Sequence, residues 1–63
     1  MNGIKVIRKK IGLSQAELAQ RVGVTRESIS RYEDGSRTPS LQVFQKLASA
    51  LGCTLDELVG KTA

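Results

Sequence analysis

The sequence predicts an all-α fold of five short helices and no strand. Apolar residues recur at spacings of three and four, which is the periodicity of an amphipathic helix. Four of the apolar runs end at a glycine, which can adopt the left-handed conformation that terminates a helix. Four runs follow a serine or threonine, whose hydroxyl accepts from the free N–H groups of a first turn. The glycines are Gly12, Gly23, Gly35 and Gly52, and the hydroxyl residues are Ser14, Thr25, Ser40 and Thr54.

The first helix carries Ile4, Ile7 and Ile11 on one face. That face also carries Arg8, and the apolar face of the third helix carries Glu33. Because an unpaired buried charge is very costly, we predict that Arg8 and Glu33 form a structural ion pair that ties the first helix to the third. The alternative is that both side chains extend along the apolar surface and place their charges in water.

The second and third helices are expected at about 15–22 and 26–34, with a tight turn between them. Ser14 and Glu17 form the pattern of a capping box at the start of the second helix. Gly23 redirects the chain where that helix ends. Two short helices joined in this way form a helix-turn-helix unit, whose second helix is suited to contact base edges in a DNA major groove.

The fourth and fifth helices follow a loop that ends at Pro39, which disfavours helix at the residue before it. Thr54 and Glu57 form a second capping box, which opens the short fifth helix. In that helix Leu55 and Leu58 are expected to face inward. The fourth helix is marked by apolar residues at helical spacing, namely Leu41, Phe44, Leu47, Ala48 and Leu51.

The composition indicates one small domain, residues 1–63, with a core at about 4–59 and a tail at 61–63. With one cysteine and no histidine, we expect no internal disulfide, no metal site and no cofactor. The chain also lacks a pair of carboxylates that so small a domain could place in a pocket, so an enzyme is not expected. Neither a signal peptide nor a membrane span is evident, and the protein is expected in the cytoplasm with Cys53 reduced.

The formal net charge of +4 lies in the first part of the chain. Residues 1–37 contain eight Lys and Arg against four Asp and Glu, whereas residues 38–63 are balanced. A basic half favours a polyanionic partner such as DNA. Charge alone is equally consistent with a soluble domain that has ordinary basic residues on its surface.

A set of landmark residues keeps its spacing along almost the whole chain, from Ile4 to Val59. These are Arg8, Gly12-Leu13-Ser14-Gln15, Leu18-Ala19, Gly23-Val24-Thr25, Ile29-Ser30, Tyr32-Glu33-Asp34-Gly35, Pro39-Ser40-Leu41 and Leu47-Ala48. In this pattern the chain resembles the XRE-type helix-turn-helix family, which includes the DNA-binding domains of lambdoid phage repressors and Cro. The resemblance implies a compact lambda-repressor-like fold and double-stranded DNA as the partner.

The third helix carries the residues expected to read bases, which are Arg26, Glu27, Ser30 and Arg31. Arginine pairs with guanine O6 and N7, and glutamate accepts from the cytosine amino group. The alternative is a solvent-exposed helix face on which Glu27 and Arg31 form an i,i+4 ion pair.

Polar residues around the third helix are expected to contact the DNA backbone. Gln15 lies in the first turn of the second helix, where free N–H groups and the helix dipole favour a phosphate. The resemblance implies that Gln15 also braces the third helix. Asp34 departs from the family pattern, which often has asparagine there, and it is expected to cap the adjoining turn instead of contacting phosphate. The expected backbone contacts are Ser14, Gln15, Thr25, Ser28, Ser36, Arg37 and Thr38.

Together these residues predict a sequence-specific, DNA-binding transcriptional regulator that acts as a repressor. The resemblance implies a dimer on a pseudo-palindromic operator, held by a weak or DNA-assisted contact through Leu58 and Val59 of the fifth helix. The alternative is a protein-interaction module of the same fold, which would carry apolar residues on the exposed face of the third helix. A protein partner bound through the fifth helix, in addition to DNA, is also open.

Overall fold

Five helices occupy most of residues 3–59, the part of the chain that the computed structural model describes. They are α1 (Ile4–Lys10), α2 (Gln15–Val22), α3 (Arg26–Asp34), α4 (Leu41–Leu51) and α5 (Leu55–Leu58). None of the described residues adopts a strand, and the predicted all-α fold is confirmed. The expected tail at 61–63 lies outside the described residues.

The start of each helix from α2 to α5 is fixed by the hydroxyl residue predicted to cap it. Ser14, Thr25, Ser40 and Thr54 each accept a hydrogen bond from the backbone N–H three residues later. At Ser14 and Thr54 the capping box is complete, because Glu17 and Glu57 accept from the backbone N–H of the capping residue at 2.9 Å. The Ser14 backbone N–H, followed by the Ser14 hydroxyl, lowers the pKa of Glu17 below its ordinary value. These bonds satisfy N–H groups that have no partner within their own helix.

Every helix contributes one fully buried aliphatic side chain to a single core. The five side chains are Ile4, Leu18, Ile29, Leu47 and Leu58. Each such side chain stabilises the fold by about 1.5–3 kcal/mol relative to leaving it in water. Since the five come from five different helices, the loss of any one helix opens the core that the others share.

At the ends of helices some apolar residues lie outside this core. The expectation that Leu55 faces inward was wrong, because its side chain is 37% exposed. Helix α5 is a single turn, and only its last residue, Leu58, reaches the core. The full burial of Leu58 also removes it from the expected contact with a second copy of the chain, whereas Val59 is exposed. Ile11 and Leu41 stand at helix ends in the same way and are exposed.

The contact between α1 and α3 contains an ion pair that lies almost entirely within the protein. Arg8 Nε donates to Glu33 Oε2 at 2.6 Å, and Arg8 Nη2 donates to Glu33 Oε1 at 3.2 Å. The third nitrogen, Arg8 Nη1, donates to the Leu13 carbonyl oxygen at 2.8 Å. The side chains of Arg8 and Glu33 are only 8% and 4% exposed. This excludes the alternative in which both side chains place their charges in water. The structure thus brings Arg8 and Glu33 together as the sequence predicts.

Replacing Arg8 alone should destabilise the domain severely, because it leaves the Glu33 carboxylate buried without its cation. We expect Arg8→Met to lower the free energy of unfolding by about 3–5 kcal/mol, which approaches the whole stability of a domain this small. Arg8→Met combined with Glu33→Leu should recover most of that loss, since no buried charge remains. Urea unfolding, monitored by circular dichroism, gives the free energy of unfolding of both variants. An equal loss of that free energy in the single and double variants would contradict the pairing.

Candidate nucleic-acid interface

The turn between α2 and α3 holds the two helices at a fixed angle. Gly23 ends α2 with a φ of 83°, a left-handed conformation that a residue with a Cβ adopts only with strain. The Gly23 and Val24 N–H groups both donate to the Ala19 carbonyl oxygen, at 2.8 and 3.0 Å. Ala19 of α2 and Ile29 of α3 both lie in the buried core behind the turn. This local bonding and packing holds α3 with one side exposed.

The free side of α3 is polar and charged. Arg26, Glu27 and Arg31 are exposed and Ser30 is half-buried, while Ile29 and Tyr32 are buried on the opposite side. Arg31 Nη2 lies 3.5 Å from Glu27 Oε2, so the i,i+4 ion pair considered from the sequence is present. Both side chains are largely in water, at 50% and 76% exposure. We call this surface, made of Arg26, Glu27, Ser30 and Arg31, the α3 face.

One edge of the α3 face is anchored to the buried ion pair through Gln15. Gln15 Nε2 donates to Glu33 Oε1 at 2.9 Å, and Gln15 Oε1 accepts from Arg26 Nη1 at 3.3 Å. A continuous chain of hydrogen bonds therefore runs from Arg8 through Glu33 and Gln15 to Arg26. Sequence reasoning led to the ion pair and to Gln15 as a brace, but it missed that the two form one network. The contact between positions 15 and 26 depends on the angle between two helices, which periodicity does not encode.

The opposite edge of the α3 face is formed by the loop after α3. Arg37 N–H donates to the Arg31 carbonyl oxygen at 3.2 Å, which folds the loop back along the helix. The Arg37 side chain then reaches the first turn of α3, where Nη1 donates to Ser28 Oγ at 3.3 Å. Thr25 Oγ1 donates to the same oxygen at 2.9 Å. The sequence indicated each of these three residues separately, and only the conformation of the loop brings them together.

Asp34 closes the turn at the end of α3. Its Oδ1 accepts from the Ser36 backbone N–H at 2.8 Å, which is the capping role expected from the sequence. The Ser36 hydroxyl, and after it the Ser36 N–H, lower the pKa of Asp34 below its ordinary value. The carboxylate therefore stays charged at neutral pH, close to the α3 face. The neighbouring loop residues Ser36 and Thr38 are exposed, as is Ser14 at the start of α2.

Three arginines surround the exposed side of α3. Arg26 is held by Gln15, Arg37 is held by Ser28, and Arg31 is paired with Glu27. A guanidinium group suits bidentate bonds to phosphate and to guanine. Since Gln15 and Ser28 are uncharged, neither edge arginine is neutralised by the residue that holds it. Such an arrangement can contact two phosphate strands and the bases between them.

Comparison with known proteins places the chain in one family. Residues 4–58 match the family model described as helix-turn-helix, so the chain belongs to the XRE-type helix-turn-helix family. The resemblance inferred from the landmark residues is thereby confirmed. Members of this family are DNA-binding transcriptional regulators rather than enzymes. No helix among the described residues has the length and apolar character needed to cross a membrane.

Similar proteins include regulators, repressors and a solved DNA complex. An uncharacterized HTH-type transcriptional regulator of Methanothermobacter thermautotrophicus is 51% identical over 49 residues, which cover 78% of this chain and 71% of the relative. The cryptic phage CTXphi transcriptional repressor RstR of Vibrio cholerae is 38% identical over 89% of this chain, which spans half of that repressor's length. The crystal structure of the P22 c2 repressor with a synthetic operator superimposes with a TM-score of 0.84 and 36% identity, covering 92% of this chain and 89% of the repressor chain.

Proposed function

We propose that this protein is a transcriptional repressor that binds specific double-stranded DNA by placing α3 in the major groove. The observation that carries the proposal is the α3 face itself, the exposed side of a helix that holds two arginines, a glutamate and a serine after a turn closed by Gly23. The similarity to RstR and to the operator-bound P22 c2 repressor supports repression as the outcome of binding. The site of action is then the cytoplasm, where the DNA is found.

Within the α3 face each residue has a proposed role at the base edges. Arg26 and Arg31 bind guanine O6 and N7, Glu27 accepts from a cytosine amino group, and Ser30 bonds to either kind of base. Arg31 leaves its ion pair with Glu27 when it binds a base. The Glu27 carboxylate then also disfavours wrong positions on the DNA, because it repels any phosphate brought close to it.

The DNA backbone is held at both edges of the α3 face. On one side Gln15 and the first N–H groups of α2 bind phosphate, with Ser14 as a further hydroxyl donor. On the other side Arg37 is the main phosphate ligand. Its neighbours Thr25, Ser28, Ser36 and Thr38 add hydroxyl groups along the same strand, and exposure of the loop supports this role.

The protein binds its operator as a two-fold dimer in which each copy occupies one half-site. The apolar side chains of Leu55 and Val59 are exposed on and beside α5, at 37% and 39%, and supply a small self-complementary contact. Two residues from each copy bury far less surface than a stable dimer interface requires. The dimer is therefore weak in solution and forms on the DNA.

The chemistry of the α3 face supports DNA rather than a protein as the main partner. A protein-binding version of this fold would present apolar side chains there, whereas Arg26, Glu27 and Arg31 are charged and exposed. Protein interfaces are depleted of charge at their centre. Binding to a protein partner is the alternative that the selection experiment described next can reveal.

Selection from random duplex DNA at about 0.15 M salt, a concentration that suppresses non-specific binding, tests the proposal. We expect a pseudo-palindrome to be enriched, because two copies read the same half-site sequence in opposite directions. The spacing of its halves, about one helical turn between centres, gives the geometry of the dimer. If a folded sample enriches no sequence, specific DNA binding is contradicted and a protein partner becomes the leading function.

Removing Arg31 should reduce sequence preference more than it reduces DNA affinity in general. We expect Arg31→Ala to weaken binding to the selected site by about 10- to 100-fold, the value of one bidentate base contact, with little change on scrambled DNA. Arg21→Ala is the matched control, since that exposed arginine of α2 lines a separate depression with Lys46 that contains no residue of the α3 face. Fluorescence anisotropy on both duplexes measures the effect, and equal losses on the two would exclude base reading by Arg31.

Removing Arg37 should lower the affinity for DNA in general and leave the sequence preference unchanged. We expect Arg37→Ala to weaken selected and scrambled DNA alike, because a phosphate contact does not depend on sequence. The slope of log affinity against log salt concentration should become shallower by about one unit, since one fewer counterion is released. An unchanged slope in a folded variant would remove Arg37 from the phosphate contacts.

A further inference from the structure

A small depression opens where α1 meets the exposed end of α3, next to the α3 face. It has a volume of about 140 Å³ and is lined by Lys5, Gln15, Ser30, Glu33 and Asp34. Two of these residues, Gln15 and Ser30, belong to the DNA-binding surface proposed above. Lys5 comes from α1, a helix to which the sequence assigned no DNA contact. The depression therefore joins an unassigned lysine to the edge of the proposed interface.

The two acidic residues of the depression are already engaged by other groups. Glu33 accepts two hydrogen bonds from Arg8 and one from Gln15. Asp34 accepts from the Ser36 backbone N–H, and it retains its negative charge. Lys5 is exposed, and its ammonium group has no carboxylate of residues 3–59 within 4.0 Å. A lysine beside two carboxylates is thus left without an ion pair in the free protein.

Gln15 also retains an unused donor at this place. Its side-chain nitrogen carries two hydrogens, and only one of them is used, in the bond to Glu33. Lys5 and Gln15 line the same depression, from α1 and from the first turn of α2. Together they offer a positive charge and a directed donor to one anionic oxygen.

We propose that Lys5 binds a DNA phosphate together with Gln15 and offsets the charge of Asp34. This inference rests on the proposed function, because it assigns Lys5 to the same DNA interface. Without a cation at this position, the free charge of Asp34 repels any phosphate that approaches Gln15, since Glu33 is neutralised by Arg8. With Lys5 present, the edge of the interface on the α1 side is no longer repulsive. Helix α1 then forms part of the DNA-binding surface in addition to bracing α3.

The salt dependence of DNA binding tests this assignment. Lys5→Gln should weaken binding to selected and scrambled DNA alike and should make the slope of log affinity against log salt shallower by about one unit. Lys46→Gln is the matched control, because Lys46 is an exposed lysine that lines a separate depression at the opposite end of α2. It should leave the slope unchanged. Thermal unfolding should be the same for both variants, since neither lysine is buried.

A second pair of variants tests the relation to Asp34. In Asp34→Asn the amide oxygen can still accept from Ser36, but the negative charge is gone. If Lys5 offsets that charge, Lys5→Gln should cost less affinity in the Asp34→Asn protein than in the wild type. Equal costs in the two backgrounds would overturn the offsetting role.

Different results would contradict the role of Lys5 and the proposed DNA-binding function. A wild-type protein that binds DNA with the expected salt slope, together with a Lys5→Gln slope equal to it, overturns the role of Lys5 alone. A folded wild-type protein with no salt-dependent DNA binding overturns the proposed function itself. A shallower slope in Lys5→Gln but not in Lys46→Gln supports the assignment.

Discussion

The buried pair of Arg8 and Glu33 is the interaction on which the remaining structure depends. It joins α1 to α3, and through the Leu13 carbonyl it also fixes the chain that leads into α2. Each of the three guanidinium nitrogens donates a hydrogen bond, and no buried side-chain nitrogen or oxygen atom of the described residues lacks a partner. A buried ion pair adds little net stability compared with apolar packing. What the pair adds is a directional contact, because two defined hydrogen bonds join α1 to α3 and direct Glu33 inward.

The rotation of α3 about its own axis decides which of its side chains are exposed to solvent. With Glu33 directed inward to Arg8, the opposite side of the helix carries Glu27 and Arg31 into solvent. Gln15 extends this hydrogen-bond network to the surface, since it bonds to the buried Glu33 and to the exposed Arg26. The α3 face is thus oriented by one buried contact at its back and one polar contact at its edge. Ser28 and Arg37 complete the arrangement on the other side, where the loop rather than the core supplies the constraint.

The fold could be predicted from local signals because each signal has one physical cause that acts within a few residues. The capping residues, the helix ends and the pairing of Arg8 with Glu33 follow from unpaired N–H groups, left-handed glycines and the cost of buried charge. The orientation of Leu55 could not be predicted in this way, since the spacing of apolar residues does not show how much of a one-turn helix reaches the core. The contacts of Gln15 with Arg26 and of Arg37 with Ser28 were missed for a related reason. They depend on the angle between helices and on the path of a loop, which are properties of the assembled fold.

The two ion pairs among the described residues differ in burial. The pair of Arg8 and Glu33 is enclosed in the protein, whereas the pair of Glu27 and Arg31 lies at the surface. The pair of Glu27 and Arg31 is largely in water at 3.5 Å, where such a contact contributes about 0–1 kcal/mol. In the proposed complex, a bidentate contact between Arg31 and guanine discriminates against a wrong base by about 1–3 kcal/mol, which exceeds the contribution of the exposed pair with Glu27. Leaving one partner of the buried pair of Arg8 and Glu33 without its counter-ion costs about 3–5 kcal/mol. In the proposed complex the α3 face can therefore rearrange while the support behind it stays unchanged, because water weakens the exposed ion pair and burial makes separation of the other one costly.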